Sequence, residues 1–244
     1  MRPDHVLAAL ENVGERGLRR RLADAGVRVK VIDALVRGLP GAAELPPEDP
    51  AWALFKVGDE ATCFRLAEAV EAPIVAVSHY RGAPAPQAQW VETVGAIARR
   101  AQARGLQLML EFVPDTGLPD LLRTLDVVEA IGEPNCAILL DPWHLARSGG
   151  TVEDVRRLPP GALGALQLCD RTAPPPGTPY VPMSGRDLPG EGELPLCELM
   201  AAALANRPGM SAEVEVFSAE LRTLSADAAA AGVAAAVKAW RATC

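Results

Sequence analysis

Short apolar runs alternate along this chain with helix-length amphipathic stretches, and four of the runs end on polar residues. They are LQLMLEF with Glu111, CAILLDPWH with Asp141 and His144, LGALQLCD with Gln167, and MSAEVEVF with Glu215. Apolar runs of this length between amphipathic segments read as buried parallel strands in βα units, and ligands collect at the carboxyl ends of such strands. Two Glu, one Asp, one Gln and one His are therefore expected to converge. Oxygen donors with at most an imidazole beside them suit Mg²⁺ or Mn²⁺ better than a thiolate-seeking ion.

The periodicity predicts a helix over 4–25, a strand over Val27–Leu35 and a Pro/Gly-rich connection from Gly38 to Pro50. A helix over 53–71 then leads to a strand at Ile74–Tyr80, and a helix over 87–104 stops at Gly105 before the Glu111 strand. Helices over 118–132 and 151–157 precede the Asp141 and Gln167 strands. Residues 171–192 hold so much Pro and Gly that a long ordered loop over the strand ends is the natural reading. A helix over 194–206, the Glu215 strand and an Ala-rich helix from about 220 to 242 complete six strands, with no fixed-period repeat.

Composition narrows the function classes. With 244 residues, 49% of them hydrophobic, the chain can bury one large core, and α/β barrels commonly form one domain of about this size. A formal net charge of −7 gives no general footprint for nucleic acid, and the basic stretch from Arg16 to Leu22 reads as a solvated helix face. The five Cys (63, 136, 169, 197 and 244) lack CxxC spacing and read as reduced, mostly packed thiols, so a cytoplasmic location without a disulfide framework is expected. No charged and apolar leader opens the chain, and no apolar run reaches the roughly 18 residues of a membrane span.

Each candidate residue has a physical motive. A Glu inside an apolar strand is unfavourable if ionised and unpaired, so Glu111 needs a partner, and a metal supplies one. Asp141 follows the AILL run, where it serves either a site or the cap of the next turn. Glu213 and Glu215 are two apart and face the same way; Glu215, nearer the strand end, is the ligand candidate, and Glu213 an interior hydrogen-bonding or surface group. His144, three residues past Asp141, is a candidate substrate contact; so is His79 at a strand end, whereas His5 reads as a surface residue. Gln167 offers an amide oxygen, an acceptable hard donor. Arg186, before the PGEGE turn, is a candidate anion clamp, and Asp170 and Arg171 are candidate supporting groups.

The order LxLEF, LLDPWH, LQLCD, GRDLPGEGEL and VEVFS resembles the sugar-phosphate isomerase/epimerase family of xylose isomerase-like barrels over roughly residues 26–218. That family includes hydroxypyruvate isomerase, ketose 3-epimerases and dehydroshikimate dehydratase. The resemblance implies metal ligation by Glu111, Asp141, Gln167 and Glu215. Gln rather than His at 167, and Arg186 ahead of a PGxGE turn, are similar to the hydroxypyruvate isomerase branch. Some epimerases carry a second Glu six residues after the one matching Glu111, where this chain has Gly117.

The expected chemistry is enolisation. A divalent ion (Mn²⁺ or Mg²⁺ first, Co²⁺ or Zn²⁺ as alternatives) would stabilise an enediolate of a small sugar or hydroxy-keto acid, with Glu111 and Glu215 as the acid/base pair. Returning the proton to the neighbouring carbon isomerises, and returning it to the opposite face epimerises. A metal-dependent lyase or dehydratase on the same scaffold, or a non-catalytic sugar- or partner-binding relative, is the alternative. A zinc-barrel repair endonuclease is disfavoured by three His and an acidic chain. The fold expected is an α/β, xylose isomerase-like TIM barrel lacking the family's first βαβ portion, with residues 1–244 as one N-terminally incomplete domain. Unpaired apolar edges in such a barrel would favour a homo-oligomer.

Overall fold

Apolar side chains cover both faces of most strands in this protein, as parallel strands flanked by helices require. The structure, a computed structural model, describes residues 1–49, 51–175, 177–178 and 184–244. The chain divides into two compact units, Met1–Leu139 and Leu140–Cys244.

The first unit begins with α1 (Pro3–Asp24) and β1 (Val31–Leu35), followed by α2 (Trp52–Val57), α3 (Glu60–Val70) and β2 (Ile74–Ser78). Next come α4 (Gln87–Gln102), β3 (Gln107–Glu111), α5 (Leu121–Ile131) and β4 (Cys136–Leu140), which runs to the boundary. β1, β2, β3 and β4 pair in that order, all parallel. Helix starts are written into the sequence: Asp59 accepts from the Thr62 amide ahead of α3, and Asp120 from the Arg123 amide ahead of α5. Gly132 ends α5 in a left-handed conformation. The core is built from Phe64 and Leu66 of α3, Trp90 of α4, Leu108 and Leu110 of β3 and Ile138 of β4, none more than 2% exposed.

The second unit contains α6 (Pro142–Arg147), α7 (Val152–Arg156), β5 (Leu163–Leu168), α8 (Leu196–Asn206), β6 (Ser211–Val214), a 3₁₀ turn at Leu221–Thr223 and α9 (Ala226–Arg241). β5 and β6 are parallel, with Gln167 opposite Glu213 and Leu168 opposite Val214. β5 is buried throughout, whereas β6 is half-exposed. A reciprocal cap between Thr151 and Asp154 starts α7.

Six strands among the described residues, each parallel to the neighbour it is registered with, agree with the sequence expectation. Several boundaries move. The helix expected over 53–71 is two, α2 and α3, because Gly58 ends one and Asp59 caps the next. The first helix kinks at Gly14, whose φ is +68°. The strand expected from Val27 starts at Val31, and an extra short helix, α6, follows Asp141. Of the Pro/Gly-rich stretches, Pro50, Pro176 and residues 179–183 lie outside the described residues.

The thiol reading is corrected. Cys63, Cys136 and Cys169 are free and buried, but Cys197 and Cys244 form a disulfide with Cα atoms 5.3 Å apart, a separation ordinary for such a bond. Spacing gave no sign of it, since 47 residues separate the pair and the return of α9 alone brings them together. The location inferred from reduced thiols loses that support. No helix among the described residues is long and apolar enough to cross a membrane.

Leu108 sits at the centre of this packing, registered with Val75 on one side and Cys136 on the other and fully buried. Leu108→Ala is expected to lower stability by about 2–5 kcal/mol. Urea unfolding should show this as a lower midpoint at unchanged slope.

Candidate active site

Within the second unit, Asp141 does two jobs. It closes β4 in an extended conformation, and its Oδ1 accepts from the amides of Trp143 and His144, so the carboxylate caps α6. Its Oδ2 accepts from Arg186 Nη1 at 2.5 Å. The same Nη1 lies 2.9 Å from Glu215 Oε2, 3.3 Å from Cys169 Sγ and 3.4 Å from the Glu215 carbonyl. Nη2 of Arg186 is 3.2 Å from His144 Nε2. A guanidinium can only donate, so a neutral His144 presents its Nε2 lone pair there and carries its proton on Nδ1. Asp141 Oδ2, Glu215 Oε2 and His144 Nε2 thus face one cationic group.

Water is excluded from the ion pair at its centre and only partly from its rim: the Asp141 side chain is 0% exposed, that of Arg186 4% and that of Glu215 20%. Burial alone would push the Asp141 carboxyl up. The charge of the Arg186 guanidinium, with the hydrogen bonds from the His144 amide and from Arg186, outweighs it and holds the group below the usual carboxylate range. Burial first, then the charge of Asp141, pushes the Cys169 thiol up, so it stays a neutral S–H whose Sγ is 3.6 Å from Asp141 Oδ1.

Arg186 is fixed from three directions. Its guanidinium lies between two aromatic faces, 4.9 Å from the Trp143 ring centroid and 5.2 Å from that of Phe217. The indole N–H of Trp143 donates to the carbonyl of Gly185. The next residue, Asp187, exchanges both backbone hydrogen bonds with Asp170 at 2.9 and 2.8 Å. Asp170 then accepts from the amides of Arg171, Gly190 and Leu194, which shapes the PGEGE turn around a buried carboxylate. Gly192 is required in that turn, because a Cβ there would lie 2.4 Å from Asp170 Oδ1 and 2.3 Å from the Arg171 carbonyl. Gln167, 1% exposed, lies on β5 in register with Glu213.

In the first unit, Glu111 closes β3, 5% exposed, in register with Ser78 and Leu139. His79 follows β2 and is fully buried. Its Nδ1 accepts from the Gly117 amide at 2.8 Å, and its ring meets Trp90 edge-on with centroids 5.0 Å apart. The position six residues past Glu111 is thus a backbone donor to His79. Burial lowers the pKa of His79 below 6.5, although the carbonyls of Pro40 and Gly41 act in the opposite sense.

The structure brings Asp141, His144, Arg186 and Glu215 together. Sequence reading singled out all four but missed the groups that hold Arg186. Trp143 lies inside the DPWH motif and Phe217 two positions beyond Glu215, where the alternation of an extended chain puts it on the side of that acid. Nothing in the sequence marked Cys169.

The sequence matches the xylose isomerase-like TIM barrel family over residues 5–243. An inosose isomerase of Halalkalibacterium halodurans is 24% identical over 141 residues, which make up 57% of this chain and 49% of that protein; the match spans about half the relative's length. The crystal structure of the IOLI protein with a bound zinc atom is similar with a TM-score of 0.76 at 16% identity, over 94% of this chain and 82% of that one. L-Ribulose 3-epimerase gives 0.60 at 23% identity, over 84% of this chain and 67% of its own. At these identities the structural likenesses speak for the fold.

Two measurements test the electrostatics. Asp141→Asn leaves Arg186 buried with a weakened partner and is expected to destabilise by about 3 kcal/mol at neutral pH. The Asp141 contribution should be present above the ordinary carboxylate pKa and lost as pH falls through its depressed folded value, so the variant's acid limb should be flatter in urea titrations across pH. For His79, also lowered on folding, stability is fully present above pH 6.5 and falls away below it as the unfolded chain takes up the proton. Between about pH 7.5 and about pH 5.5, His79→Gln should therefore lose less stability than the unsubstituted protein.

Proposed function

This chain belongs to the xylose isomerase-like TIM barrel family, and on that premise we propose that it is a divalent-metal-dependent isomerase or epimerase of a small sugar or hydroxy-keto acid. The observation that carries the reading is the meeting of Asp141 Oδ2, Glu215 Oε2 and His144 Nε2 around a single positive charge. Two carboxylates suit a hard or borderline divalent cation such as Mn²⁺, Mg²⁺, Co²⁺ or Zn²⁺, and the imidazole nitrogen beside them is placed to meet a substrate oxygen. Glu111, Asp141 and His144 are buried, and each offers one atom of the kind such an ion takes. Glu111, Asp141, Gln167 and Glu215 would hold the ion, as the motif match implies. When bound, the ion supplies stabilisation of the negative charge that develops on the substrate oxygens.

The proton chemistry falls to the chain's own carboxylates. Glu111 and Glu215 form the acid/base pair: one removes the proton from the carbon beside the carbonyl, and either that group delivers it to the neighbouring carbon, or the other, already protonated, donates its own proton to the opposite face. His144 Nε2 and the Arg186 guanidinium orient substrate oxygens. His79 keeps the segment carrying Gly117 in place through its 2.8 Å hydrogen bond. Trp143, beside both His144 and Arg186, excludes water from these groups.

The test is solvent exchange. In D₂O with Mn²⁺, hydroxypyruvate, fructose and tagatose are incubated with the protein, and deuterium entry at the carbon beside the carbonyl is followed by NMR. At least one substrate should exchange, only with metal, and Glu111→Gln and Glu215→Gln should each reduce the rate about 10²-fold or more. Retained exchange in both variants would remove these residues from the mechanism. Loss of water without an isomeric product would move the reading to a lyase.

A further inference from the structure

We propose that Arg186 is a built-in cation occupying the metal-binding lone pairs, so that metal loading is an exchange in which this side chain must withdraw. The inference rests on the metal reading above and concerns the regulation of that same site.

A buried carboxylate and a partly buried one facing each other repel unless a positive charge lies between them. Here Arg186 supplies it, with Nη1 on Asp141 Oδ2 and on Glu215 Oε2 and Nη2 on His144 Nε2. A divalent ion bonded to these two carboxylate oxygens at about 2.0–2.6 Å would compete with Nη1 for them. Nη1 and the ion therefore exclude one another.

The surroundings allow the side chain to leave without its backbone moving. The backbone of Asp187 is tied to Asp170, and the Gly185 carbonyl to the Trp143 indole, so both neighbours of Arg186 are anchored. The guanidinium is held above the Trp143 and Phe217 rings, at 4.9 and 5.2 Å. Cation–π attraction is broad in direction, so the group can slide along these faces, releasing the two carboxylates while keeping its aromatic contacts. Withdrawn in this way, Arg186 becomes the substrate-orienting cation of the proposed reaction, and the same residue holds the site together before the metal arrives.

Isothermal titration calorimetry of the metal-stripped full chain with MnCl₂ tests the exchange. Removing the competitor in Arg186→Ala and Arg186→Met should tighten Mn²⁺ binding by roughly tenfold or more. Arg186→Lys, which keeps a charge but not the fork, should fall between them and the unsubstituted protein and serves as the readout should the neutral variants not fold. Guanidinium ion at millimolar concentration should weaken Mn²⁺ binding to Arg186→Ala again, with no effect on the unsubstituted protein, a response that a merely structural role would not give. Equal or weaker binding by the neutral variants, or by Arg186→Lys if only that variant folds, would overturn the exchange and leave the metal reading standing. Absence of Mn²⁺ binding in every form would overturn the metal reading, and the exchange with it.

Discussion

An ion pair sealed from water, Asp141 with Arg186, organises the second unit of this protein. Charges this deeply buried are tolerated only when partners and hydrogen bonds replace the lost hydration. The structure meets that demand in full: Asp141 accepts from two backbone amides as well as from Arg186, and Arg186 reaches a second carboxylate, a thiol sulfur and an imidazole nitrogen. Because the carboxylate also caps α6, placing the charge and starting the helix are one event. That helix in turn presents Trp143 to the guanidinium and His144 to its other nitrogen.

A second buried acid, Asp170, plays the corresponding part for the chain that delivers Arg186. It gathers two amides from the PGEGE region, those of Gly190 and Leu194, and that of the adjacent Arg171, while its own backbone pairs with Asp187. A Pro/Gly-rich segment has little intrinsic structure, and its order has to come from outside contacts of this kind. At the far side of the turn, Gly190 lies against Trp240 of α9, and the Cys197–Cys244 disulfide ties the end of that helix to the start of α8. The position of one arginine thus depends on a chain of contacts that passes through two carboxylates and an indole.

The chemical consequence is a set of donors suited to a cation. Carboxylate oxygens and an imidazole lone pair, arranged around a positive charge in a largely buried site, act more strongly than the same groups in water. The family of xylose isomerase-like barrels supplies the fold, and fold alone does not fix a reaction. Here the case for enolisation is carried by the donor atoms and by the side chains that hold them.

Much of this was legible in the sequence for a simple reason: strand and helix periods are local properties, and a polar residue ending an apolar run is conspicuous. Six strands, their parallel pairing and the candidates Glu111, Asp141, His144, Gln167, Arg186 and Glu215 all follow from such patterns and from the order of the motifs. What the sequence could not carry were facts that depend on distance through space. The break between α2 and α3, the burial of Arg186 in a Pro/Gly-rich loop, the gathering of three amides onto Asp170 and the pairing of Cys197 with Cys244 involve residues that are unremarkable where they stand. They acquire their roles only when tertiary packing removes water, because a charge, an amide or a thiol needs a specific partner only once the solvent that would otherwise satisfy it has gone.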